Sequence, residues 1–334
     1  MKVLVTGGAG FVGLGLAEEL LAQGHEVVCF DRRQPPAGFL RAIGDGRARL
    51  HVRTGDVCSA ADVAQVFDTQ GAAPIDHVFH GAAITPGLAR EVSEARTIVE
   101  VNLLASIQMV TLAAEAGVQR LVFPSSLTVY GEHLYGRGEL DEENTPPAPQ
   151  SLYAITKYAA ERAVLETGRR CGLDVRCGRI GAVFGRWETE SQVRDLLSPY
   201  YQVCAAAARG SQAVLPEAYA PREMVYIRDL ARALVLLLAH DQPSHAVYNL
   251  SVNADWNGLL PRWCDTLARR MPGFEWRYAL PGEVPTIHFP DNRPRTAMAT
   301  RRLRQDLGFT PGFLPDAALS DYADWLVANA SELP

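Results

Sequence analysis

The chain has 334 residues, 48% of them hydrophobic and 21% charged, with a formal net charge of -6. That length and apolar content supply one large core, or a core with a smaller dependent lobe. The acidic balance leaves no basic excess for a phosphate backbone and excludes a nucleic-acid partner, although local arginines can still bind small anions.

The sequence opens on the apolar run Lys2 to Val5, without the charged region, long apolar stretch and cleavage site of a secretory signal, so a cytoplasmic protein is expected. The apolar run Ala233 to Ala239 is far too short to cross a bilayer, and no membrane span is expected. Cys29, Cys58, Cys171, Cys177, Cys204 and Cys264 are scattered without metal-type spacing. Reduced thiols and no bound metal are predicted.

In chain order, strands are predicted at Val3 to Thr6, Glu26 to Asp31, Leu50 to Thr54, His77 to His80, Leu121 to Ser125 and Asp174 to Val183. Helical patterns at Val12 to Gln23, Ala60 to Thr69, Ile98 to Ala116 and about Leu152 to Thr167 separate them. Such alternation implies crossover units, and therefore a parallel sheet covered on both faces. Asn144 to Gln150 is an extended Pro-rich loop feeding the next helix. Beyond Val183 the pattern loosens into Gly-, Pro- and aromatic-rich loops, with a helix at Tyr200 to Ala208 and a strand near Glu223 to Ile227.

The segment Thr6 to Gly13, TGGAGFVG, follows the first strand and opens a helix. Gly7, Gly10 and Gly13 permit a tight turn and close backbone approach to a pyrophosphate, which the helix amides and dipole then meet; Phe11 and Val12 lie in the same turn. The second strand ends in Asp31, at the spacing where a carboxylate accepts from adenosine ribose hydroxyls. Asp31 repels a 2′-phosphate whereas Arg32 and Arg33 attract one; the reading is NAD rather than NADP. The fold class that follows is α/β: a Rossmann-type doubly wound parallel sheet with a smaller C-terminal α/β substrate-binding lobe. The predicted division is 1–180 for the NAD-binding domain with the catalytic residues, and 181–334 for a mainly substrate-binding lobe, some segments of which return to the first domain.

Tyr153 and Lys157 stand four apart in the helical segment SLYAITKYAAE and so project from one face. A neighbouring ammonium and a positive nicotinamide favour the phenolate and make it a base near neutrality. The strand LVFPSSLTVYG brings Ser126 up to hydrogen-bond the reacting hydroxyl. Together, TGGAGFVG, Asp31, Gly55-Asp56-Val57, the HGAA of His80 to Ala83, Asn102, SSLTVYG, YAITK and REMVYIRDLA at Arg222 to Ala231 resemble the NAD-dependent epimerase/dehydratase family of extended short-chain dehydrogenases, over nearly the whole chain.

That resemblance implies that Ser126 orients the substrate, that Tyr153 is the acid/base, and that Lys157 holds the nicotinamide ribose and depresses the Tyr pKa. It also implies cofactor contacts at Asp56, Val57, Ala82, Ala83 and Asn102, besides Gly7, Gly10, Phe11, Val12, Gly13, Asp31 and Arg32. His80 reads as a core or cofactor-side residue. The helices Ile98 to Ala116 and Leu152 to Thr167 resemble the pair that forms a four-helix homodimer interface in the family.

Family dehydratases carry an acidic residue just after the catalytic hydroxyl strand, where this chain has Leu127 and Thr128; neither can protonate a leaving hydroxyl, which disfavours dehydration. The Asn that many nucleotide-sugar 4-epimerases carry after the next strand's Arg is absent from Arg179 to Gly185, and Asn292-Arg293-Pro294-Arg295 only partly resembles a diphosphate-binding element. Arg194, Arg222 and Arg293 are candidates to clamp a phosphate or carboxylate, and Trp187 to stack on a sugar or base; the alternative is that these arginines pair with Glu188, Asp195 and Glu223. Thr85, Ser126, Thr128 and Arg179 complete the candidate substrate-binding set. The leading reading is a nucleotide-sugar epimerase acting on a carbohydrate-like small molecule. The alternatives are a one-way dehydrogenase of a free sugar or sugar acid and a non-catalytic NAD-binding protein.

Overall fold

The computed structural model describes residues 1–68, 73–220, 223–254, 258–289 and 293–329. The first five strands are β1 (Lys2–Thr6), β2 (Glu26–Asp31), β3 (Leu50–Thr54), β4 (His77–His80) and β5 (Arg120–Ser126). With the strands Asp174–Ile180 and Val247–Leu250 they form one seven-stranded parallel sheet. Across it the order is Val247–Leu250, Asp174–Ile180, β5, β4, β1, β2, β3. Every residue of β5 is buried, as expected of a central strand covered on both faces. The order reverses between β1 and β4, so the crevice outside the carboxyl ends of these strands is where such sheets bind ligands.

Helix α1 (Phe11–Ala22) leaves β1 through the glycine turn. A longer helix, Leu152–Cys171, carries Tyr153 and Lys157; the Ser151 hydroxyl caps its N-terminus by accepting from the Ala154 amide at 3.2 Å, and Gly172 ends it at φ +73°. The helix Ala60–Phe67 stops two residues before its predicted end, and Thr69 lies outside the described residues. The strand expected over Asp174 to Val183 is divided. Pairing with Val247–Leu250 ends at Ile180, and the chain steps across Gly181 and Ala182 to Val183–Phe184, which pairs with Val225–Tyr226 instead.

By length and composition alone one described helix, Ala95–Glu115, could cross a membrane. It contains a wide turn at Glu100–Leu104, and its inner face packs Ile98, Ala105, Met109, Val110 and Ala113 into the fold, as a core helix does.

Chain from beyond residue 180 shares its core with the sheet. One apolar cluster runs from Val3, Leu14 and Leu16 through Tyr226 and Leu234 to Trp263 and Leu326. A charged knot ties the same regions. Arg186 donates to Glu18 of α1 at 3.2 Å and to Asp321 at 2.5 Å, Trp187 Nε1 donates to Glu18 at 2.7 Å, and Tyr226 and Arg228 donate to Asp321 at 2.6 and 2.7 Å.

Candidate active site

A cavity of about 1130 Å³ opens at the carboxyl ends of β1, β4 and β5. One end is the glycine turn. Gly7 sits at φ +64°, and a Cβ there would lie 2.9 Å from the Ala82 amide nitrogen; at Gly13 a Cβ would lie 2.2 Å from the Gly7 carbonyl oxygen. Only glycine fits either position. Gly10, Phe11 and Val12 line the cavity at the start of α1, where unpaired amides and the helix dipole favour a pyrophosphate. Asp31, also on the wall, is oriented by the Ala9 and Arg33 amides at 3.2 and 3.0 Å, each bonding a different carboxylate oxygen and leaving lone pairs for ribose hydroxyls. The exposed Arg32 lies 3.8 Å from Asp56, and Arg32, Asp56, Val57, Ala82 and Ala83 all line the cavity. These residues fit a dinucleotide.

The loop after β4 is fixed from below. Thr6 Oγ1 accepts from the Ala82 amide at 3.2 Å and bonds His80 Nδ1 at 2.9 Å. Burial, helped by the charge of Lys157, pushes the His80 imidazole down to about 3, so it is neutral and belongs to the core beside the cofactor loop. Asn102 does not line the cavity, which corrects its expected cofactor contact. Its amide is buried, accepts from the Ile84 amide at 2.8 Å, donates to the Ile84 carbonyl at 2.9 Å, and so braces the loop that does.

At the other end of the cavity Ser126, Thr128, Thr85, Tyr153 and Lys157 come together. Thr128 offers Ser126 Oγ its amide at 3.2 Å and its hydroxyl at 2.9 Å. Withdrawal from water raises the Tyr153 phenol above its ordinary value, against the opposing influence of the Ser126 and Thr85 hydroxyls and the charge of Arg194. The expected depression by Lys157 is thus not what this protein alone produces. Burial pushes the Lys157 ammonium itself down to about 8, and its Nζ lies 4.2 Å over the Phe123 ring.

Two features of the site go beyond the sequence reading, which expects Arg194 at the substrate but neither Glu91 nor the contacts that hold the segment around Arg194. Glu91, 62 residues before Tyr153, accepts the Tyr153 and Leu152 amides at 2.8 and 3.1 Å and so caps the catalytic helix with a carboxylate. Replacing Glu91 with Ala is expected to cost about 1 kcal/mol of stability, measurable by urea unfolding, and to lower turnover by loosening Tyr153. The second feature is a flap, Ser191 to Leu196, over the cavity. The Thr85 amide donates to the Val193 carbonyl at 2.7 Å, and the Asp195 amide to the Thr85 carbonyl at 3.1 Å. Asp195 in turn accepts from the Gly87 amide at 2.7 Å and from Arg90 at 2.9 Å. Arg194 lies 5.0 Å from the Phe11 ring centroid and pairs at 3.0 Å with Glu188, a buried carboxylate that also accepts the Ser198 amide and hydroxyl at 2.8 and 2.6 Å.

Three expected substrate contacts lie elsewhere. Arg179 is buried beneath the catalytic helix, bonded to Glu161 at 2.7 and 3.1 Å and stacked 4.8 Å from the Tyr130 centroid. Trp187 turns inward at φ +66° and packs edge-on against Phe39 and Trp325. Arg293 lies outside the cavity wall, 3.4 Å from the Tyr135 ring centroid. Arg222 and Asn292 lie outside the described residues. Among the described residues no cluster of three His, Cys, Asp or Glu is placed to hold a metal ion.

A dinucleotide cradle meeting a serine, a tyrosine and a lysine in one cavity is the arrangement of an NAD-dependent enzyme of the extended short-chain dehydrogenase type. The chain belongs to the NAD dependent epimerase/dehydratase family, whose sequence model matches residues 3–251. It is similar to the UDP-glucose 4-epimerase of Corynebacterium glutamicum, with 27% identity over 326 residues covering 93% of this chain and 91% of that one. It is also 34% identical over 189 residues to the D-erythronate dehydrogenase of Cupriavidus necator, 55% of each chain. Among solved structures it matches MoeE5 in complex with UDP-glucuronic acid and NAD, with a TM-score of 0.73, 27% identity and 97% and 98% coverage. NAD is the cofactor.

Proposed function

We propose that the enzyme is a nucleotide-sugar epimerase. The observation that carries this reading is the hydroxyl set itself. Ser126 and Tyr153 can hold and exchange a proton with a substrate oxygen, while the next positions, Leu127 and Thr128, offer no carboxylic acid for elimination. The similarity to a UDP-glucose 4-epimerase over nearly the full chain supports it. Bound NAD supplies the hydride acceptor and a positively charged ring. Ser126 orients the sugar hydroxyl, Tyr153 takes its proton at Oη, and after the keto-sugar rotates Tyr153 returns the proton to the same oxygen. Arg194, Thr85 and Thr128 line the space left for the sugar and its anionic tail. The test is to denature freshly purified protein and assay for NAD(H), then offer a panel of nucleotide sugars. Near-stoichiometric NAD with interconversion of a sugar pair is expected; no interconversion across the panel overturns the reading.

A second reading, one-way oxidation of a free sugar or sugar acid, is favoured by the extent of the cavity. No described residue after Leu196 lines it, and a substrate without a nucleotide needs nothing further. The similarity to a D-erythronate dehydrogenase points the same way. This reading expects an initially empty site and stoichiometric NADH in solution from sugars or sugar acids.

The proposed assembly is a homodimer. Leu104 and Ile155, on the two helices expected at the interface, are 54% and 49% exposed. Replacing both with Glu is expected to halve the mass in sedimentation; a wild-type mass equal to one chain rejects the dimer.

A further inference from the structure

The flap joins one wall of the cavity to another. On the β4 side Thr85 exchanges two main-chain bonds with Val193 and Asp195 at 2.7 and 3.1 Å, and the Asp195 carboxylate accepts from the Gly87 amide and Arg90 at 2.7 and 2.9 Å. Arg194 reaches the glycine turn, its guanidinium carbon 5.0 Å from the ring centroid of Phe11, the first residue of α1. Two of its three guanidinium nitrogens are committed. Nε donates to the Leu196 carbonyl at 3.0 Å, and Nη2 pairs at 3.0 Å with the buried Glu188, itself held by the Ser198 amide and hydroxyl. Nη1 has no partner among the described residues. The first turn of α1 carries no acidic side chain, so nothing within the helix offsets the positive end of its dipole. A guanidinium fixed from behind, with a nitrogen left over beside that helix end, suits anionic oxygens better than a neutral hydroxyl.

We propose that Arg194 is a cofactor-binding residue that donates from Nη1 to the pyrophosphate of NAD, opposite the amides of the glycine turn, and so makes the flap a strap over the dinucleotide. Release of the cofactor then requires the bonds to Thr85, Gly87 and Arg90 to open as well as the Arg194 contact, which keeps the same dinucleotide in place from one half-reaction to the next. The proposal rests on NAD as the cofactor and on neither reading of the reaction. A sugar panel without interconversion leaves it standing, and its own failure leaves the epimerase reading intact.

The test displaces NADH, followed by its fluorescence, with ADP-ribose, which carries the pyrophosphate but no nicotinamide, and with adenosine, which carries neither. Arg194→Gln keeps a hydrogen bond for Glu188 and removes the charge. It is expected to weaken ADP-ribose about tenfold to a hundredfold, the loss of one charge-assisted bond, to leave adenosine unchanged, and to speed NADH release into excess NAD by a similar factor. Arg194→Met with Glu188→Gln serves if that variant does not fold, because no carboxylate is then left buried without a partner. Unchanged ADP-ribose binding overturns the proposal and leaves the substrate's own anion as the partner of Nη1. An equal loss for adenosine also overturns it, marking a flap that only supports the fold.

Discussion

Tyr153→Phe is expected to lower turnover by about a hundredfold to ten-thousandfold, the range over which a positioned acid or base contributes, while NAD binding is retained. The substitution removes one oxygen at the cavity wall and leaves the glycine turn, Asp31 and the loop braced by Asn102 untouched. Nothing nearby can replace it. His80 is buried below the cavity and pushed down to about 3, Lys157 Nζ is engaged over the Phe123 ring, and Ser126 without a partner phenol is too weak a base. Isothermal titration with NAD and a turnover assay on the same preparations make the comparison. Loss of both binding and turnover would mean that Tyr153 holds the cofactor rather than the proton.

Arg179→Met is expected to destabilise the protein by about 3–5 kcal/mol, the cost of leaving a buried charge without its partner. The guanidinium and the Glu161 carboxylate are 5% and 1% exposed and joined by two hydrogen bonds, so removal of one leaves the other in an apolar interior. Glu161 lies one turn beyond Lys157 on the catalytic helix, so the damage is expected to reach the active site before the protein unfolds. Arg179→Met combined with Glu161→Met is expected to recover most of the loss, because the paired desolvation cost disappears with the pair. Urea unfolding of the single and double variants checks both statements. A double variant no better than the single would locate the stabilisation in the Arg179 contact with Tyr130 instead.

What the sequence made legible follows from how each signal arises. The cofactor turn could be read because only glycine satisfies the Gly7 and Gly13 backbones, and Tyr153 with Lys157 because helical spacing fixes which side chains share a face. Arg179 could not. Its partner Glu161 lies on a helix 18 residues earlier, where it reads as an ordinary polar position, and the strand-to-helix approach that pairs them leaves no local pattern. Trp187 has the chemistry of a stacking residue, but the left-handed backbone at that position sends it into the core, a choice that residue type does not reveal. Arg194 is expected at the substrate from its chemistry, but Glu91 and the contacts that anchor the flap join residues 61 or more apart, without periodicity to mark them.

The charged knot around Glu18, Arg186 and Asp321 also bears on how this enzyme can be re-engineered. The loop that follows Gly185 is the natural segment to exchange with a relative when a new substrate is wanted. Its root is not self-contained, however, since Arg186 and Trp187 are anchored on α1, the same helix whose first turn cradles the cofactor, and on the helix that holds Asp321. A transplanted loop therefore has to travel with matching residues at 18 and 321, or the donor's specificity will arrive together with a slackened hold on NAD.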